Sequence, residues 1–285
     1  MMFVTIIVHY NNPVECSRFV SDFLERVESH PLILVDNNST QNNLYKLKTK
    51  INLERVLLIE SSINEGFGAG VNIGVKAAQK FNPEYLHVVN TDVILINPYY
   101  ISDLISVLKN NAEISLAGPL VYKNSNHETQ NTILPFPSLW NSLIFRFRSV
   151  KSYESKSINV SIVSAINGVC FVVINKHFNK VGGFTESYFM YGEEQDLAYK
   201  LLQKGYKSAF VSTPSIIHLG ANIKPEKIID WKFYAVRSNQ IRFISMYRTK
   251  FEAFLLGFVF LVSITLKIMF GHKFIGVKNQ TKHIS

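Results

Sequence analysis

Five short apolar runs, at residues 3–8, 32–35, 56–59, 85–89 and 114–117, recur through the first 120 positions, separated by longer amphipathic stretches such as 14–27, 70–80 and 99–110. Apolar runs this short, covered on both faces and alternating with helical patterns, build βαβ units around a parallel sheet. The expectation is therefore an α/β fold, Rossmann-like, with a mostly parallel central sheet flanked by helices. The first run lacks a basic lead-in and a small-residue cleavage site, so it is expected to be a buried strand and not an export leader. Ligands of such sheets sit at the carboxyl ends of the strands.

The residues at those ends are polar. The first run leads into His9-Tyr10-Asn11-Asn12, the second into Asp36-Asn37-Asn38-Ser39, and the fourth into Asn90-Thr91-Asp92. Beyond the third lies a segment holding Asn64, Gly66, Gly68, Gly70, Asn72 and Gly74. If the strands are parallel neighbours, these four groups line one crevice. The Asp36 carboxylate could accept from a ribose or a base N–H there, or simply shape its turn. The glycine segment reads G-x-G-x-G after the third run, which is not the dinucleotide fingerprint. Its glycines either admit a ligand close to the backbone or ease a turn, and Gly70 is expected to open a helix whose N-terminus favours phosphate. Asp92 could hold Mg²⁺ beside substrate phosphates, or cap a loop. His218, which ends a later apolar stretch, could be a second ligand, a phosphate contact or a structural residue.

Residues 168–174 read as a further buried strand, 181–184 as a turn, 194–204 as a helix, and 207–211 as another strand. On the helix, i, i+3, i+4 spacing aligns Glu194 with Leu197, Ala198, Leu201 and Leu202, while Glu193 and Asp196 fall on the other side. An inward carboxylate at a helix start suits a general base. An acidic first turn complementing the helix dipole is the alternative, and it fits Glu193 and Asp196 better.

In this order, the motifs resemble those of glycosyltransferase family 2 with the GT-A fold. The carriers are Tyr10-Asn11, Asp36-Asn37-Asn38-Ser39, Asn64-x-Gly66-Phe67-x-x-Gly70-x-Asn72-x-Gly74, Asn90-Thr91-Asp92, Asn167-Gly168-x-Cys170, and the run from Gly182 to Leu197 that contains Glu193-Glu194-x-Asp196. The match spans residues 3 to about 220 and looks most like the rhamnosyltransferase-type branch, whose members build bacterial surface polysaccharides such as O-antigen or capsule. The resemblance implies that Tyr10, Asn11, Asp36, Asn64, Gly66, Gly70, Asn72 and Asn90 contact the nucleotide sugar, with Asp36 on the base. It implies that Asp92 and His218 hold a divalent cation, Mg²⁺ or Mn²⁺, on the diphosphate, and that Glu194 is the base of an inverting displacement. Two positions depart from the family pattern. Asn90 replaces the first acid of the D-x-D motif, and Glu194 replaces the aspartate of the usual Glu-Asp pair, reaching about 1.5 Å further.

The formal net charge of +9 is unevenly spread. Residues 224–285 hold eleven Lys/Arg and three Asp/Glu, a balance of +8, leaving +1 on residues 1–223. The expected organisation is a catalytic domain at 1–223, with a nucleotide-sugar-binding half at 1–120 and an acceptor-binding half at 121–223, then a membrane-associating tail at 224–285. Within the tail, residues 253–266 carry no charge, with Arg242, Arg248 and Lys250 before them and Lys273, Lys278 and Lys282 after. Positive charge on both sides suits a segment lying in the anionic inner leaflet better than a spanning helix or a buried one. It lacks the interleaved stacking aromatics of a nucleic-acid binder, which is not expected as a partner. Cys16 and Cys170, far apart, are expected to be core thiols in a reducing compartment.

These features admit two functions. One is an inverting glycosyltransferase acting on a lipid-linked or saccharide acceptor at the cytoplasmic face of the inner membrane. The other is a membrane-tethered nucleotide-sugar-binding module without turnover. The presence of both Asp92 and Glu194 favours the first. A sugar nucleotidyltransferase would open with a glycine-rich loop, which residues 9–13 do not supply.

Overall fold

The computed structural model describes residues 2–27, 30–97, 99–144, 159–222 and 231–270. In chain order its elements are β1 (Phe3–His9), α1 (Pro13–Arg26), β2 (Leu32–Asp36), α2 (Gln41–Lys48), β3 (Val56–Glu60), α3 (Phe67–Ala78), β4 (Tyr85–Val89), β5 (Val93–Leu95), α4 (Tyr100–Asn110) and β6 (Ile114–Tyr122). The later elements are β7 (Ile133–Leu134), α5 (Leu139–Ile144), β8 (Val160–Val163), β9 (Ala165–Ile166), β10 (Cys170–Ile174), α6 (Asn175–Lys180), α7 (Glu193–Gln203), β11 (Lys207–His218), α8 (Trp231–Tyr247) and α9 (Lys250–Phe270). These residues form two compact units, one from 2–136 and 159–222, the other from 137–144 and 231–270.

In the first unit, alternate residues of β1 feed two cores. Phe3 and Ile7 pack with Phe19, Phe23 and Leu104 of α1 and α4, while Val4 and Ile6 pack with Val71, Val75, Leu197 and Leu201 of α3 and α7. A strand covered on both faces has no polar side to show, which is why the runs read as continuous apolar segments. The sheet order is β3-β2-β1-β4-β10-β6-β11-β5, with β8 on β11.

The sheet is mixed, where a mostly parallel one was expected. Strands β3, β2, β1 and β4 are parallel, and β6 is parallel to β11. Between these groups β10 runs antiparallel to both β4 and β6, and β5 and β8 run antiparallel to β11. A fully buried run carries the same composition in either direction, so strand polarity is not written in it. The runs at 207–211 and 216–218 join into one strand, β11, whose register shifts between Val211 and Ser215. Helix α3 begins at Phe67, not Gly70.

Both cysteines are buried and free. Burial pushes both thiols up, that of Cys170 to about 12. Such thiols are inert core residues.

The second unit is helical. Ile244, Ala253 and Leu256 pack with Leu139 and Ile241, the Arg237 guanidinium donates to Ser142 O at 2.7 Å, and the Arg248 guanidinium to Pro137 O at 3.1 Å. The other side of α9 exposes Phe251, Phe254, Phe258, Leu261 and Leu266. Among the described residues, no helix is long and apolar enough to cross a membrane. Lys273, Lys278 and Lys282 lie outside the described residues.

Candidate active site

Because β1 to β4 are parallel neighbours, their carboxyl ends share one edge of the sheet, and side chains tie those ends together. Asn11 sits at φ +55°. Its N–H donates to Ser39 Oγ at 2.8 Å, and its Oδ1 accepts from Thr40 N–H at 2.8 Å. The Asn37 amide donates to Asn64 Oδ1 at 2.9 Å and to Gly66 O at 3.0 Å, joining the ends of β2 and β3. Asn11 and Asn64 thus have structural work as loop fasteners. Tyr10, 53 % exposed, stands open to a ligand.

Asp36 is 1 % exposed. Its Oδ2 accepts the Ser39 N–H at 3.0 Å, while Oδ1 is buried without a hydrogen-bond partner, 3.8 Å from His9 Nε2. Burial lowers the His9 pKa against the opposing pull of Asp36. The unspent oxygen is enclosed beside His9.

The glycine segment is used for packing. Gly66, at φ +94°, precedes α3, and a Cβ there would fall 1.9 Å from Phe189 O. A Cβ on Gly70, one turn inside the helix, would fall 2.8 Å from Val8 Cγ1, so the glycine lets α3 lie close against β1. Asn72 also faces protein. Its amide donates to Phe184 O and Glu186 Oε1, both at 2.9 Å, and its Oδ1 accepts the Phe184 N–H at 3.0 Å. These bonds fasten α3 to the turn at 182–186.

On α7 the burial differs from the helical-wheel expectation. Glu193 is 2 % exposed and Asp196 fully buried, Glu194 is half-buried, and Leu202 is 44 % exposed. Asp196 is held by Thr185 Oγ1 at 2.6 Å and by Lys200 Nζ at 3.3 Å. The turn preceding α7 covers the flank that a wheel drawn from the helix alone assigns to solvent. Glu194 Oε1 accepts the Gly168 N–H at 2.9 Å, and Oε2 the Gly192 N–H at 3.3 Å. Burial raises the Glu194 pKa against the lowering effect of these N–H groups. Burial and then the Glu194 charge push Glu193 further up. The Asn90 N–H donates to Val169 O at 2.9 Å, so the end of β4 is bonded beside the residue that holds Glu194.

Asp92 Oδ2 lies 3.0 Å from His218 Nε2, and its Oδ1 is buried without a hydrogen-bond partner. Strand pairing fixes this approach, since Val93 of β5 is the partner of His218 on β11. Adjacent ligands of an octahedral ion with bonds of about 2.1 Å are separated by about 3.0 Å, so the pair fits a divalent cation. Among the described residues no group of three or more His, Cys, Asp or Glu is gathered to hold a metal. Phosphate oxygens and water would complete the shell, as is usual for Mg²⁺. Burial, and after it the Asp92 charge, raises the pKa of Glu15 on α1.

The family model described as Glycosyl transferase family 2 matches residues 5–176. The chain belongs to glycosyl transferase family 2. It is 23 % identical over 214 residues to the low-salt glycan biosynthesis hexosyltransferase Agl10 of Haloferax volcanii, covering 75 % of this chain and 66 % of that protein. It is 26 % identical over 237 residues to the N-acetylglucosaminyl-diphospho-decaprenol L-rhamnosyltransferase of Mycobacterium tuberculosis, covering 75 % and 74 %. In fold, the family 2 chain is similar to GalNAc-T7, solved with UDP, GalNAc and Mn²⁺, at TM-score 0.64 and 17 % identity, over 88 % of this chain and 48 % of that one. It is also similar to the mannosyltransferase PcManGT of Pyrobaculum calidifontis, solved with GDP-Man and Mn²⁺, at TM-score 0.52 and 11 % identity, over 93 % and 80 %. The GT-A-like α/β fold is thus shared with both solved structures.

Asn37 and Gly168 stand within the motifs without an assigned role, and Gln130 lies outside them. Their partners lie 27, 26 and 88 positions away, at Asn64, Glu194 and His218.

Proposed function

We propose that this chain is an inverting, metal-dependent glycosyltransferase that moves a sugar, rhamnose favoured, from a nucleoside diphosphate to a lipid-linked saccharide in the assembly of a bacterial surface polysaccharide. The observation that carries the reading is the Glu194 carboxylate, held by the Gly168 and Gly192 N–H groups. Those two bonds aim it and lower its basicity, while each oxygen retains a lone pair for the incoming proton. Burial raises its proton affinity toward the range useful to a general base.

In the reaction, the acceptor hydroxyl oxygen bonds to the anomeric carbon while its proton passes to Glu194. The anomeric C–O bond to the diphosphate breaks, and its electron pair leaves on the phosphate oxygen. Asp36 takes the base N–H, and the exposed Tyr10 ring borders the nucleoside. Asp92 and His218 would hold a divalent cation that neutralises charge on the leaving diphosphate. The name of the mycobacterial relative, a transferase to a diphospho-decaprenol, supports a lipid-linked acceptor.

The basic, apolar second unit supports attachment to anionic lipid at the cytoplasmic face of the membrane. Its α9 exposes large apolar side chains at spacings of three and four residues, which places them along one face. Lipid would cover this exposed apolar side, with Arg248 and Lys250 at the headgroups.

The test is transfer from deoxythymidine diphosphate-rhamnose and uridine diphosphate sugars to a polyprenyl diphosphate saccharide, with and without Mn²⁺, by the wild-type chain and Asp92→Asn. Metal-stimulated transfer that Asp92→Asn loses supports the reading. Tight nucleotide-sugar binding with no transfer to any acceptor would favour a binding module.

A further inference from the structure

His218 has a second partner. Its Nδ1 lies 2.9 Å from Gln130 Oε1, on the side of the ring opposite Asp92. A carboxamide oxygen only accepts, so with Gln130 in this orientation the contact is a hydrogen bond when the ring proton is on Nδ1. The Nε2 lone pair then faces Asp92 Oδ2 at 3.0 Å, and two acceptors at that distance require a cation or a second proton between them. The backbone fixes Gln130 where it stands. Its N–H donates to Val121 O at 2.8 Å, and a hairpin beyond β6 is closed by the Tyr122–Thr129 bridge and by Lys123 N–H to Glu128 O at 2.7 Å.

We infer that Gln130 is a positioning residue for divalent-cation binding, holding His218 in the Nδ1–H tautomer so that Nε2 is presented to the ion beside Asp92. This rests on the proposed role of His218 as a ligand and names the residue that keeps it competent. Groups that hydrogen-bond a ligating histidine through its other nitrogen set its tautomer and basicity, and losing them costs about 10–100-fold in metal affinity. Gln130 does this without adding charge, leaving Asp92 as the anionic donor of the pair.

The experiment is Mn²⁺ titration of the full chain with saturating uridine diphosphate, read by electron paramagnetic resonance. The variants are Gln130→Met, Gln130→Glu and His218→Ala. Gln130→Met, which keeps the length and removes the acceptor, is expected to weaken Mn²⁺ about 10–100-fold. Gln130→Glu restores the acceptor and is expected to bind Mn²⁺ at least as tightly as wild type. If Gln130→Met does not fold, a weakened Gln130→Glu overturns the inference on its own. Wild-type affinity in Gln130→Met, with loss in His218→Ala, overturns this inference and spares the role of His218. Wild-type affinity in His218→Ala overturns both. Independently, ¹⁵N correlation spectra of the chain loaded with diamagnetic Mg²⁺ and uridine diphosphate should show His218 protonated on Nδ1, and the Nε2–H form overturns the proposal.

Discussion

The Glu194 carboxylate accepts the Gly168 N–H at 2.9 Å across 26 positions of sequence, joining the start of α7 to the turn before β10. A Cβ on Gly168 would meet Glu194 Oε1 at 2.9 Å and Phe67 Cε1 at 2.9 Å, so the turn is shaped closely around the carboxylate. The proposed base is thereby held by main chain, which shifts less than a side-chain partner would.

Glu194→Gln keeps one of the two acceptor contacts through its carbonyl oxygen, turns an NH₂ toward the other N–H, and removes the base. The expected result is a fall in kcat of about 10²–10⁴-fold with unchanged affinity for the nucleoside diphosphate. Rapid-quench kinetics and calorimetry separate the two quantities. Because burial raises the Glu194 pKa above its ordinary 4.5, the acidic limb of the wild-type kcat profile should lie above that pH.

Glu193 predicts a pH-dependent stability. Its folded pKa is raised above the ordinary 4.5, by burial and then by Glu194, and its Oε2 has no hydrogen-bond partner. A raised carboxyl stabilises the fold below its unfolded value and loses that contribution as pH rises through the folded value. Glu193→Gln should therefore gain in Tm relative to wild type as pH rises from about 5 to 8, by about 2–4 °C for each kcal/mol relieved. Parallel Tm profiles for the two proteins would remove the assignment.

Gly66 and Gly182 separate backbone strain from collision. Both have positive φ, +94° and +78°, yet a Cβ on Gly66 would meet Phe189 O at 1.9 Å while one on Gly182 meets nothing within 4 Å. Gly182→Ala should cost about 1–2 kcal/mol, the left-handed penalty alone. Gly66→Ala should cost more, because the Phe67 N–H to Phe189 O bond of 3.1 Å must also open. Urea unfolding measures both, and equal losses would contradict the packing role given to Gly66.

The stripe on α9 predicts lipid binding. Phe254, Phe258 and Leu261 are 69 %, 58 % and 62 % exposed. Replacing all three with serine should lower partitioning onto phosphatidylglycerol vesicles by at least about tenfold, since each large apolar side chain contributes about 1.5–3 kcal/mol when buried. Phosphatidylcholine vesicles should bind the wild type more weakly, and salt should reduce the difference. Co-sedimentation that is indifferent to both changes would exclude this surface.

Much of this protein could be read locally. Runs such as 32–35 and 85–89 announced buried strands because a strand covered on both faces is mostly apolar, and the polar residues at the ends of β1, β2 and β4 marked the edge where a ligand is expected. Asp92 and His218 were both legible as strand-end residues, each ambiguous alone. The packing contacts of Asn72 and Gly70 were not legible, because an asparagine or glycine that fastens packed elements has the same identity as one that meets a ligand.

Tertiary structure decided what depends on partners distant in sequence. The antiparallel direction of β10 was set by its two neighbours. The burial of Asp196 arose because Thr185 of the turn at 182–192 folds over α7, and Glu193 lies beside Gly68 of α3, neither of which periodicity within that helix can register. The meeting of Asp92 with His218, and of His218 with Gln130, required β5, β11 and the hairpin beyond β6 to come together. Composition and spacing record the local cost of burying each residue; which residue will stand beside it is settled only when the sheet closes its long-range pairs.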